Sequence, residues 1–152
     1  VRQKPPYPPL KSIHVPSKII MGQPAAKLGD TIFAVDTHLV TVPPLQIPTP
    51  LPHIFRGTIN GNLSRNVRIM GKPAATVGST ALNMPPHIPT PPGISFIKPP
   101  SNKGSVFVGS STVRINGKMA ARMLDVAMTC NDPVDLLVGK VLVLQPCTVF
   151  IG

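Results

Sequence analysis

The chain has 152 residues, enough for one domain with a modest core. Its 21 prolines, its single tyrosine and the absence of tryptophan and glutamate exclude a fold of long helices, because proline breaks helix interiors and the best acidic helix former is missing. Hydrophobic residues at 42% argue against disorder, and a net charge of +10 suits an anionic partner without choosing among phosphate backbone, lipid headgroup and acidic protein surface.

Residues 1–17, "VRQKPPYPPLKSIHVPS", read as a proline-rich N-terminal arm. Basic residues and prolines stand where a secretory signal would need an apolar run, so synthesis in a cytoplasm without a signal peptide is expected. From Lys18 onward an internal repeat organises the chain. "KIIMGQPAAKLGD" (Lys18 to Asp30), "VRIMGKPAATVGS" (Val67 to Ser79) and "VRINGKMAARMLD" (Val113 to Asp125) align without gaps through their first half. In each unit an apolar alternation predicts a half-buried strand, Gly22, Gly71 or Gly117 predicts a tight turn, and an Ala-Ala pair allows close approach of neighbouring strands. Three such hairpins imply pseudo-threefold symmetry in a mainly β fold of short antiparallel strands.

Between the repeats lie "TVPPLQIPTPLPH" and "NMPPHIPTPPG", which read as rigid, extended proline-rich loops. Strands are also expected within "SVFVGSSTVRI" (Ser105 to Ile115) and "CTVFIG" (Cys147 to Gly152). The best apolar stretch, "LLVGKVLVL", is interrupted by Lys140 and is no membrane span.

The repeat also places chemistry. His38 and His87 each follow their repeat's Pro24 or Pro73 by fourteen residues, and Cys130 follows Met119 by eleven. Under a threefold relation these side chains converge, bringing two imidazoles and a thiolate together. A closed structural zinc site needs a fourth donor, for which His53 in "PLPHIF" is the candidate and His14 its competitor. A metal clip would add folding free energy to a chain poor in aromatic residues. Cys147 reads as a small apolar residue, although a Cys130–Cys147 bridge is the alternative use of the two thiols.

With "PAAKLGD", "PAATVGS", "MAARMLD", "TCNDPVDLLVG" and the four metal candidates in this order, the region from Lys18 to Gly152 resembles the PAAR-repeat proteins, the tips of contractile injection machines. The resemblance implies a single conical domain over 18–152, with proline-rich loops and one zinc near the point held by His38, His53, His87 and Cys130. Iron accepts similar ligands. The resemblance further implies a monomer seated by its base on a homotrimeric VgrG-like spike, with effector or tail-tube cargo behind it. The target membrane would be contacted transiently when the assembled particle is delivered outside the cell. Type VI secretion, extracellular phage-tail-like particles and contractile phages all use such tips; the long proline-rich insertions and short chain resemble those of the extracellular particles. The full PAAR tetrad never occurs: Lys27 and Thr76 replace Arg, Met119 replaces Pro, and Ser79 stands where Asp is expected.

Two other classes compete on the residues. For an enzyme, Asp30 with Asp36 or Asp132 with Asp135 would be the carboxylate pairs, but no nucleophile elbow, phosphate loop or H-E-x-x-H accompanies them. A basic β module binding nucleic acid or an anionic surface fits the charge, but aromatic residues for base stacking are few. The structural tip, not an enzyme, is the expectation.

Overall fold

The computed structural model describes residues 22–152. The arm at 1–17, the first strand expected for repeat one and His14 lie outside the described residues. Thirteen strands follow in order: β1 Gln23–Pro24, β2 Thr31–Val42, β3 Ile47–Gly61, β4 Arg68–Ile69, β5 Lys72–Pro73, β6 Thr80–Asn83, β7 Ser95–Phe96, β8 Lys103–Val106, β9 Arg114–Ile115, β10 Lys118–Met119, β11 Val126–Thr129, β12 Leu136–Leu142 and β13 Phe150–Ile151. All pairings are antiparallel.

The largest sheet runs β12-β11-β8-β6-β3-β2-β7, and a further β12–β2 pairing closes it on itself. Closure gives the strands an inside. Ile32 and Ala34 of β2, Phe55 and Ile59 of β3, Ala81 of β6, Val106 of β8, Ala127 of β11 and Val141 of β12 fill it. The Phe55 ring needs room that only glycine leaves: a Cβ at Gly57 would lie 2.6 Å from it, and one at Gly104 3.0 Å.

At one end of this barrel sit the repeat hairpins. β4–β5 and β9–β10 turn through Met70-Gly71 (φ 50° and 78°) and Asn116-Gly117 (φ 51° and 78°), the positive-φ pairs of a type I′ hairpin. The corresponding pair in repeat one joins β1 to β13, with Ile151 opposite Gln23 as Ile69 is opposite Lys72 and Ile115 opposite Lys118. Ala25 N–H bonds the Val149 carbonyl as Ala74 bonds Val67 and Ala120 bonds Val113, each at 3.0 Å. The terminal strand was expected; its partner in repeat one was not.

The six repeat alanines are fully buried. Their backbones form a closed triangle, in which Ala26 N–H bonds the Ala121 carbonyl (2.9 Å), Ala121 N–H that of Ala75 (3.0 Å) and Ala75 N–H that of Ala26 (2.9 Å). Any larger side chain would hold these backbones apart. Outside the triangle, bridges Ala25–Arg122, Lys27–Ala74 and Thr76–Ala120 join each repeat to the other two.

After each alanine pair the chain turns through one positive-φ residue: Gly29 (89°), Gly78 (88°) and Leu124 (68°). Leucine at positive φ meets its own carbonyl, and its side chain, 54% exposed, recovers little by burial. Leu124→Gly should therefore raise stability, by up to about 1 kcal/mol. A higher urea midpoint at unchanged m-value would show it.

One expectation is corrected. "TVPPLQIPTPLPH" is a loop only at 43–46, because β2 runs to Val42 and β3 starts at Ile47, with Pro48, Pro50 and Pro52 inside the ladder opposite Thr41, Leu39 and Thr37. In an antiparallel pair alternate residues donate to the neighbour. Prolines spaced by two therefore fall on one edge of β3, the edge away from β2, and leave the ladder whole. "SVFVGSSTVRI" is likewise interrupted, since 107–113 carry no strand between β8 and β9.

Candidate metal centre

The inward row of β2 reads Ile32, Ala34, Asp36, His38, Val40, all buried, because residues two apart share a face. The inward row of β3 runs Ile59, Phe55, His53 towards the same level, again buried. Above Phe55 the interior thus changes from apolar to polar. His87 follows β6 by four residues, and Cys130 directly follows β11.

These elements bring Asp36, His38, His87 and Cys130 together, with one donor atom from each inside a span of 4.8 Å. Asp36 Oδ2 lies 3.3 Å from His87 Nε2 and 3.4 Å from Cys130 Sγ, and Cys130 Sγ is 3.9 Å from His38 Nε2. The other carboxylate oxygen, Oδ1, accepts from the Thr129 hydroxyl and from Asn131 Nδ2 at 3.2 Å, which fixes Asp36 in place. Asp132 Oδ2 sits 3.2 Å from His38 Nδ1, so His38 turns its other nitrogen inward. A carboxylate behind an imidazole is the usual support for a metal-binding histidine.

His53 stands against the same cluster in a different attitude. Its ring centroid is 5.3 Å from that of His38 and 5.6 Å from that of His87, and those two are 5.1 Å apart. Three imidazoles on one tetrahedral ion have centroids about 5 Å apart, given bonds near 2 Å. The His53 nitrogens are engaged, however. Nδ1 donates to the Leu51 carbonyl (2.9 Å), and Nε2 accepts the Thr90 N–H (3.1 Å). His38, His87 and Cys130 are therefore brought together with Asp36, while His53 is at ring contact with its lone pair turned to Thr90.

The donor set of imidazole nitrogens, a sulfur and a carboxylate oxygen fits a borderline divalent cation. The surroundings favour neutral donors in the absence of charge from an ion. Burial, and then the Asp36 carboxylate alongside, push the Cys130 thiol from 9.0 up to about 12. Burial also holds His38 and His53 below their ordinary 6.5, against the opposing pull of Asp132 and of the Leu51 carbonyl respectively. A dication held by His38, His87 and Cys130 would reverse this preference, favouring the thiolate over the thiol.

A pH profile follows for the metal-free chain. Both histidines bind protons more readily when unfolded, so stability should fall as pH drops below 6.5. Unfolded Cys130 loses its proton more readily than folded, so stability should also fall as pH rises from 9.0 towards 12. Urea unfolding of chelated protein should give a plateau between these limits, and a midpoint still rising on acidification to pH 5 would contradict the profile.

Asp36 is the residue the sequence reading left out of the metal set. Its signal was the spacing Asp36-x-His38, two residues that share a face once the segment is a strand. Cys147 packs instead against the hairpin cluster of Ala25, Ile69 and Ile151 and reaches the Ala25 carbonyl at 3.6 Å. Both cysteines are free, so no Cys130–Cys147 bridge forms.

Among known protein families, the model described as PAAR motif matches residues 51–135, more than half of the chain. The matched span holds His53, His87, Cys130 and repeats two and three. No curated protein matches the chain.

Proposed function

This chain belongs to the PAAR-motif family, and on that premise we propose that it caps and sharpens the trimeric VgrG-like spike of a contractile injection system. Family membership supports a structural spike-tip role in injection systems. The PAAR-motif family is structural, and this speaks against catalysis; of the aspartates, Asp36 and Asp132 face His87 and His38 in the donor cluster, while Asp30 and Asp125 are paired with Lys27 and Arg122.

The observation that carries the capping reading is the hydrogen-bonded triangle of Ala26, Ala75 and Ala121 with its three outer bridges. Two repeat hairpins and the equivalent β1–β13 pair stand around it, which supports a pseudo-threefold arrangement within a single chain. One copy can then answer the same edge of each of three spike subunits, which an asymmetric monomer cannot do. In this reading the hairpin end is the base, the proline-rich end is the leading point of a cone, and cargo would travel behind the tip.

The metal is zinc, one per chain, held by His38, His53, His87 and Cys130. The three imidazole spacings support that set; binding through His53 Nε2 requires it to release the Thr90 N–H. A second reading, with Asp36 as the fourth ligand, is favoured by its Oδ2 already facing the other donors. The set with His53 would clip together β2, β3 and the segments after β6 and β11, and the set with Asp36 three of these, where no apolar core remains. The machine is an extracellular phage-tail-like particle, a reading that rests on the long proline-rich segments.

Mixing the purified chain with its homotrimeric spike and measuring mass by light scattering after gel filtration tests the capping. One chain per spike trimer is expected. No complex, or three chains per trimer, would refute it.

A further inference from the structure

The β2–β3 hairpin does not stop at the donor cluster. β2 runs four residues past His38, to Val42, roughly 13 Å of strand, before the turn at 43–46. Beside it, β7 pairs Val40 with Phe96 and Thr41 with Ser95, and Thr90 bonds both the Pro52 carbonyl and His53. Residues 39–52 and 88–97 are thus one body projecting past the cluster.

Its chemistry is unlike that of the rest of the chain. Neither segment contains a Lys, Arg, Asp or Glu, in a chain with 15 basic and 5 acidic residues. Outward on it stand Leu45 (76% exposed), Ile88 (77%), Ile94 (61%) and Ile47 (54%). Exposed apolar side chains with no charge among them are the material of an interaction site. Immediately behind it the first cations, Lys98 after β7 and Arg56 on β3, are both exposed.

The backbone is equally distinctive. Prolines 43, 44, 48, 50, 52, 89, 91 and 92 remove eight N–H donors from these segments. On the outer edge of β3 they remove the donors another strand would need, which disfavours a protein partner adding to that edge. At the boundary between headgroups and acyl chains the missing donors reduce the cost of a bare strand edge, since each unsatisfied N–H costs several kcal/mol away from water, while the edge carbonyls keep their hydration among the headgroups.

We propose that the finger formed by 39–52 and 88–97 is a lipid-inserting element: its leucine and isoleucine side chains enter the acyl region of a phospholipid bilayer while Lys98 and Arg56 stop at anionic headgroups. Its reach is comparable to one leaflet, about 15 Å of hydrocarbon. The proposal deepens the leading-tip reading and rests on it for the surface the finger meets. It adds that entry into the membrane is chemically favourable before any force is applied.

The chain lacks tryptophan, so Leu45→Trp introduces a single probe at the turn. With vesicles of phosphatidylcholine and phosphatidylglycerol, the full chain should show a blue-shifted emission quenched by brominated acyl chains, and it should float with the vesicles even in high salt. The double variant Leu45→Asp/Ile47→Asp, altered only at exposed sites, should lose flotation by at least about tenfold. Unquenched, unshifted emission, flotation lost in high salt, or undiminished flotation of the double variant would each overturn the proposal. Spike binding by the double variant separates the two readings. If it persists while the parent fails to insert, only the finger is refuted; if the parent inserts but binds no spike, only the capping is.

Discussion

Replacing His87 and Cys130 together by alanine is expected to empty the metal site and lower the melting temperature by at least about 10 °C. The size of the effect follows from where the cluster lies. Beneath it Phe55 and its neighbours fill the barrel, but at the level of Asp36 the interior is polar and offers little apolar area to hold β2, β3, β11 and the 84–94 segment together. Chelating the parent protein should produce the same fall, and chelating the double variant none beyond it. Unchanged metal content and melting temperature in the variant would refute a structural metal. His53→Ala and Asp36→Asn then resolve the fourth ligand. Zinc lost from the first alone assigns His53, with Asp36 a supporting acceptor; zinc lost from the second alone assigns Asp36.

The features legible in the sequence were those repeated in it. Ala25–Ala26, Ala74–Ala75 and Ala120–Ala121 recur in register, and all six are buried because three backbones must meet there. His38, His87 and Cys130 gained meaning from their places after those pairs, and the structure assembles them with Asp36. What escaped the reading depends on contacts far apart in sequence or on a rule with an exception. Asp36 shares a face with Ile32 and His38 along β2, and that face becomes an inside through pairings such as β12 with β2, which join residues more than a hundred positions apart. The β1–β13 pair joins residues near opposite ends of the chain, and no local pattern announces such a partner. Pro48, Pro50 and Pro52 look like a loop when each is read as a strand breaker; their spacing of two is what lets them lie along one edge.

The departures from the PAAR tetrad find a physical account in the segment after each alanine pair, and it carries the second large prediction. In repeat one, Lys27 N–H bonds Asp30 Oδ2 at 2.9 Å while Lys27 Nζ lies 3.2 Å from the same oxygen, and both residues are 2% exposed. Repeat three has the same device in Arg122 and Asp125, where the backbone bond is 2.7 Å. Repeat two keeps only the neutral half: Thr76 N–H bonds Ser79 Oγ at 3.0 Å. Thr76 and Ser79 thus abandon both charges together, and the turn survives because the backbone donor still has an acceptor. Asp30→Ala should cost about 3–5 kcal/mol, since it leaves the Lys27 ammonium buried without a partner and orphans the N–H groups of Lys27 and Leu144. Lys27→Thr with Asp30→Ser copies repeat two into repeat one and should cost no more than about 2 kcal/mol, because no charge is stranded and the introduced serine hydroxyl accepts the backbone N–H at position 27. Urea unfolding of the two single variants, Lys27→Thr and Asp30→Ser, and of the double variant measures the coupling. If the double variant loses as much as the two single ones added together, the pair is not a unit, and the neutral turn of repeat two owes its stability to something other than the joint loss of both charges.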